Sequence, residues 1–185
     1  MKDMVKDTSG GEVARAHLKS ARYKEAIKCY KKILKRNPRD DAAWLSMGGA
    51  HRALGEYEKA IACYDRAIEI NPRCDDHWYY RGKVFARLSD HEEALSCFDR
   101  VLKLTSTDEF SWISRAKALK SLGRLEEALE SLDRAIEIND RNEDSLYLKA
   151  NILRKLNRSE ELSECLKKLF KINPLHQAKE EFNLG

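Results

Sequence analysis

Trp44, Trp78 and Trp112 stand 34 residues apart, and so do Ala26, Ala60, Ala94 and Ala128. Asn37-Pro38-Arg39 returns as Asn71-Pro72-Arg73, then in altered form as Asn139-Asp140-Arg141 and Asn173-Pro174. A fixed period of this length restricts the fold to a stack of like supersecondary units. One unit cannot bury its apolar face alone, so each covers the next.

The copy at 41–74 shows what the unit is. Counting Asp41 as place 1, Trp44, Met47, Gly48, His51 and Leu54 fall on one arc at roughly 100° per residue. Gly55-Glu56 interrupts the pattern. A second stripe follows at Tyr57, Ala60, Ile61, Tyr64, Ala67 and Ile68, again at helical spacings of three and four. Asn71-Pro72 ends it, because proline disfavours the helical conformation in the residue before it. The unit is a helical hairpin. Gly48 is expected to face Ala60 and let the two backbones approach, and Trp78 to be buried in its hairpin. Helices are predicted at 8–21 and 23–36, 41–54 and 57–70, 75–88 and 91–104, 109–122 and 125–138, and 143–156 and 159–172.

Trp44-x2-Met47-Gly48-x2-His51, then Gly55, Tyr57, Ala60-x3-Tyr64, Ala67 and Pro72, resembles the tetratricopeptide repeat, TPR. Five copies, at 7–40, 41–74, 75–108, 109–142 and 143–176, carry the likeness across nearly the whole chain as one array. The resemblance implies an all-α fold, a right-handed superhelical solenoid of helix-turn-helix repeats. Gly10 in the first copy and Leu146 in the last replace the tryptophan. Arg81, Arg115 and Lys149 take the usual leucine place, where their stems are expected to lie on apolar surface with the heads in water. Beyond Pro174, Leu175, Ala178 and Phe182 have the spacing of a capping helix at about 175–183.

Composition agrees with amphipathic helices that keep one face wet: 36% of residues are charged and 42% hydrophobic. No apolar run approaches the about 18 residues of a membrane span, and Met1-Lys2-Asp3-Met4-Val5 has no apolar core of a secretory signal. A cytoplasmic location is expected. The net charge of +4 gives no general reason to expect nucleic acid. Cys29, Cys63, Cys97 and Cys165 share one place in four repeats. Stacked helices lie about 8–10 Å apart, beyond the roughly 7 Å reach of a disulfide, so free thiols are expected.

Motifs for chemistry are absent. There is no glycine loop with a following lysine for phosphates, and no Ser-His-Asp or Cys-His pairing. Cys74-Asp75-Asp76-His77 is one tetrapeptide of potential ligands, better explained as capping acids beside chance neighbours. Paired acids such as Glu92-Glu93 and Glu126-Glu127 open second helices, where the helix dipole favours them. The expectation is a non-enzyme with no catalytic residue, metal or cofactor.

The opposite arc of each first helix carries the functional signal. In TPR proteins this arc lines a concave groove for an extended peptide or partner helix. Here it reads Arg15, Leu18 and Lys19; Leu45, Gly49 and Arg52; Tyr79, Lys83 and Arg87; Phe110, Ile113, Lys117 and Lys120; and Tyr147, Asn151, Arg154 and Lys155. Bases far outnumber the acids on it, Asp76 and Asp144, while the second helices hold most acids. The resemblance would also allow a clamp for two carboxylates, but its first window reads Gly11, Arg15, Ser46, Asp76 and Tyr80, and the clamp is absent. The leading expectation is a scaffold whose basic, aromatic-lined groove binds an acidic protein segment. Single-stranded RNA is the alternative, since stacked bases suit such a groove. Leu45, Tyr79, Ile113 and Tyr147 at one place argue against a side-chain code for bases. A self-associating subunit is the third reading.

Overall fold

A computed structural model describes residues 8–174. Within them the chain is all α, ten helices joined by short turns and no strand. They are α1 (Thr8–Lys19), α2 (Tyr23–Arg36), α3 (Asp41–Ala53), α4 (Tyr57–Ile70), α5 (Asp75–Arg87), α6 (His91–Leu104), α7 (Glu109–Ser121), α8 (Leu125–Ile138), α9 (Glu143–Lys155) and α10 (Ser159–Ile172). The expected capping helix at 175–183, with Leu175, Ala178 and Phe182, lies outside the described residues, as does Asp7.

The second helices have the predicted bounds; the first helices stop one or two residues early. The cause is the residue at place 15. Ala21, Gly55, Ser89, Gly123 and Asn157 all adopt positive φ, between 55° and 78°. A left-handed residue after a helix lets the next N–H reach back five residues. Arg22 N–H donates to His17 O at 2.8 Å, Glu56 to His51 at 3.0 Å, Asp90 to Phe85 at 2.9 Å, Arg124 to Leu119 at 2.9 Å and Arg158 to Leu153 at 3.0 Å. Five hairpins therefore share one Schellman turn, though only two of them use glycine.

The junctions between hairpins are equally regular. The second helix ends when the N–H of Asn37, Asn71, Thr105, Asn139 or Asn173 bonds the carbonyl four residues back. Place 34 then caps the next helix. Asp40 accepts from Ala43 N at 2.8 Å, Asp108 from Ser111 N at 3.1 Å and Asn142 from Ser145 N at 2.9 Å. Cys74 occupies the same place without a side-chain cap. The indole N–H of Trp44, Trp78 and Trp112 donates across the junction to Pro38, Pro72 and Ser106 carbonyls, at 2.9, 3.1 and 2.8 Å. Each ring is thus half-buried, not buried as expected for Trp78: it must stay beside an outer turn to make that bond. Arg100 covers Trp78 at 5.8 Å from the ring centroid.

The chain divides into two compact units after Arg100. In the first, α1 packs on α2, α2 on α3, α3 on α4 and α4 on α5. Ala14, Ala26, Ile27, Tyr30, Leu34, Met47 and Ala50 form one cluster, and Ala60, Tyr64 and Val84 another. Small residues decide how close the helices come. Gly48 faces Tyr64, not Ala60: a Cβ there would lie 2.6 Å from the ring. Gly82 meets Cys97 and Phe98 in the same way, at 2.9 Å. In the second unit α7 packs on α8, α8 on α9 and α9 on α10. Its fully covered side chains include Leu119, Leu132, Leu146, Ile152, Leu153 and Leu169. Each such leucine or isoleucine contributes about 1.5–3 kcal/mol over exposure.

The basic residues in the leucine place do not leave their heads in water. Arg81 donates from Nε to Asp65 at 2.7 Å, approaches Glu93 at 3.5 Å, and donates from Nη1 to Cys97 Sγ at 3.1 Å. Arg115 donates to Ser131 Oγ at 2.6 Å, and Lys149 pairs with Asp133. Half-burial leaves a charge too little water, so polar atoms on second helices take the place of solvent.

Candidate functional site

The candidate residues sit on first helices, so the turn chemistry above fixes their direction. In the first unit Arg15, Lys19, Arg52, Lys83 and Arg87 are exposed, whereas Leu45, Gly49 and Tyr79 are half-buried. The structure brings several of them together around Tyr80, which sequence reasoning left off the list. Tyr80 stacks on Tyr64 at 6.4 Å and meets the edge of Tyr79 at 5.4 Å. Tyr79 in turn lies 6.0 Å from Phe98. Arg52 stands over the Tyr80 ring at 5.8 Å and Lys83 over Tyr79 at 5.9 Å. Arg87 Nε reaches the Tyr57 hydroxyl at 3.5 Å. The result is an aromatic shelf in which cations lie over ring faces. The signal for Tyr80 was present in the sequence as a second tyrosine next to Tyr79, but its place was assigned to no arc.

In the second unit Phe110 is 63% exposed and Tyr147 46% exposed, the largest openings among aromatic side chains of the described residues. Lys117, Lys120 and Arg154 are exposed, and Arg154 donates to Asn151 Oδ1 at 3.3 Å. Ile113 differs from the expectation. It is only 6% exposed and offers a partner no anchor. Its place borders the apolar arc, so a β-branched side chain turns into the core while the longer Tyr147 reaches out.

The second helices carry exposed acids, but many are already balanced on their own helix. Arg66 pairs with Glu69 and Arg134 with Glu137. Arg124 and Arg158 each make two-point contacts, with Glu127 and Glu161, at 2.6 and 2.7 Å. The hydrogen bond from Arg124 holds the Glu127 carboxyl below its usual range. Glu56 is also held low, first by its hydrogen bond with buried His51, at 2.5 Å, and then by Lys59. Separation of sign between the helices is thus weaker than the sequence implied.

The tetrapeptide at 74–77 splits. Cys74, Asp75 and Asp76 place ligand atoms within 4.8 Å of one another. His77 turns inward, 1% exposed, with Nδ1 3.2 Å from the Asn71 carbonyl and Nε2 3.6 Å from Asp41. Asn71 also donates to Asp41 at 3.0 Å, so His77 ties two hairpins together. All five cysteines are free. Burial pushes the Cys63 thiol up to about 11 and raises Cys97 and Cys165, the opposite of an activated nucleophile. No helix among the described residues is long and apolar enough to cross a membrane.

Comparison with known proteins follows the same lines. No curated protein matches the chain in sequence. Among solved structures it is similar to MamA, at 17% identity with a TM-score of 0.83, over 90% of this chain and 97% of that one. MamA from Desulfovibrio magneticus RS-1 aligns at 17% identity with a TM-score of 0.84, over 90% and 94%. YrrB, described as a TPR protein with an unusual peptide-binding site, aligns at 22% identity and a TM-score of 0.76, over 90% and 88%. At these identities the likeness is one of fold. A tetratricopeptide repeat model matches residues 14–73 and 50–109, and a second matches 111–142 and 143–174. The turn at place 15, the junction caps and these matches agree: the chain belongs to the tetratricopeptide repeat family.

Proposed function

We propose that this protein is a non-enzymatic interaction scaffold that binds an extended, acidic protein segment on its first helices. The shelf of Tyr79 and Tyr80 with Arg52 and Lys83 over the rings is the observation that carries the reading. Aromatic surface of this kind gains little from water and much from a partner that covers it. Cations pinned on ring faces present charge at low entropic cost to an opposite charge. The exposed Phe110 and Tyr147 in the second unit, with exposed Lys117 and Arg154 on the same first helices, offer surface of the same chemistry. The peptide-binding site named for YrrB is a precedent for peptide recognition on this fold.

The test is titration with acidic peptides and with single-stranded RNA at two salt concentrations. Peptide binding that weakens as salt rises is expected, because the exposed cations are screened. Tyr79→Ala with Phe110→Ala should mainly quicken dissociation, each true anchor being worth about 2 kcal/mol. Lys83→Glu with Lys117→Glu should slow association, each exposed contact being worth about 0–1 kcal/mol. Tight RNA binding without peptide binding, or peptide binding indifferent to both pairs, would overturn the proposal.

A further inference from the structure

A cavity of about 440 Å³ opens among α1, α2 and α3 in the first unit. Its lining among the described residues includes Gly11, Arg15, Tyr30, Ile33, Arg36 and Ala43. The sequence explains why it is there. Place 5 of the other four repeats holds Leu45, Tyr79, Ile113 or Tyr147. Where the structure shows the contact, that side chain covers the second helix. Leu45 packs on the cluster of Ala60, Tyr64 and Val84, and Tyr79 on Phe98. Tyr30 is the first repeat's equivalent of Tyr64 and Phe98, but place 5 above it is Gly11, which has no side chain to offer. The absent side chain leaves this part of the surface open, and the cavity, several times larger than one leucine side chain, includes that space.

We infer that the apolar part of this cavity, beside Gly11, receives an apolar side chain from the acidic partner segment. The inference rests on the proposed function and adds a specificity pocket to it. Three observations define the occupant. Tyr30, Ile33, Ala42 and Ala43 give the cavity an apolar wall that favours a hydrocarbon side chain there, while Asn37 and Ser46 make the rest of the lining polar. Arg15 stands at the lining, so the residues next to that side chain should be acidic. The one acid in the lining, Asp40, already has its carboxylate on Ala43 N at 2.8 Å as the cap of α3. The site differs from a carboxylate clamp in what enters it. The anion stays at the rim with the Arg15 guanidinium, and hydrocarbon covers the apolar wall. The gain comes from covering apolar surface that the fold leaves without a neighbour.

Gly11 provides the decisive variant. A Cβ there would meet only the Arg15 guanidinium, at 3.9 and 4.0 Å, an ordinary contact. Gly11→Leu therefore puts the place-5 side chain of the other repeats into the cavity, at a helical position where leucine is preferred to glycine. Gly11→Ala changes the same backbone but leaves most of the space. The probes are acetyl-Asp-Glu-Leu-Asp-Glu-amide and its alanine counterpart, titrated at low salt with the amide signals of α1–α3 followed by NMR. Wild type and Gly11→Ala should bind the leucine peptide at least about tenfold more tightly than the alanine peptide. Gly11→Leu should bind both alike, at the alanine level, and melt no lower than wild type. Equal binding of the two peptides by wild type, or a preference for leucine retained in Gly11→Leu, overturns the pocket while leaving the acidic-segment reading intact. Failure of both peptides to bind any part of the chain overturns both.

Discussion

A Cβ placed on Gly48 would lie 2.6 Å from Cε1 of Tyr64. The two residues set the spacing of α3 and α4, since Tyr64 is fully buried and its ring has nowhere to go. Gly48→Ala should therefore cost about 1–3 kcal/mol, although alanine gains up to about 1 kcal/mol of helix propensity over glycine. Gly49, the next residue, has no atom within 4 Å of its notional Cβ. Gly49→Ala should stabilise by up to about 1 kcal/mol. Opposite shifts of the urea midpoint for neighbouring glycines are the expected result.

Cys74 stands where Asp40, Asp108 and Asn142 cap their helices, and makes no such cap. A carboxylate there would accept from His77 N–H and meet the positive end of α5. Cys74→Asp should raise stability by about 1 kcal/mol, and Asp108→Ala should lower it by a similar amount. Thermal melts of the two variants, read against wild type, check both.

Ala21 holds φ at 55° and Ser89 at 62°, where an L residue costs roughly 1–2 kcal/mol. Gly55 and Gly123 occupy the same turn without that cost. Ala21→Gly and Ser89→Gly should each stabilise by about 0.5–1 kcal/mol, the gain being reduced by the freedom glycine has in the unfolded chain. Gly123→Ala should destabilise. Chemical denaturation of the three variants tests the common turn.

Glu56 bonds His51 at 2.5 Å and Lys59 at 3.1 Å, and its carboxyl is held below the ordinary value of 4.5. A depressed folded-state pKa means that the unfolded chain takes up the proton first. The contribution to stability is complete above the unfolded value and is lost as pH falls through the lower folded value. Glu56→Gln should flatten the fall in stability below about pH 4.5. Melting temperature against pH for the two proteins measures it.

The period of 34, the two stripes and the Asn-Pro punctuation determined the hairpins and nearly all their bounds, because these rest on local spacing and on backbone chemistry. The shared left-handed place 15 was half legible: Gly55 and Gly123 announce it, while Ala21, Ser89 and Asn157 follow because the neighbouring hydrogen bonds impose it. Depth of burial was decided by tertiary structure. Helical spacing gives a side chain's direction, but how far the next hairpin overlaps that direction depends on side-chain size at the contact. Hence Ile113 is buried on an arc that leaves Phe110 and Tyr147 exposed, and Trp78 stays half out to reach Pro72. Hence also Arg81 turns from water to Asp65 and Cys97, sixteen residues away on either side, which only folding brings together.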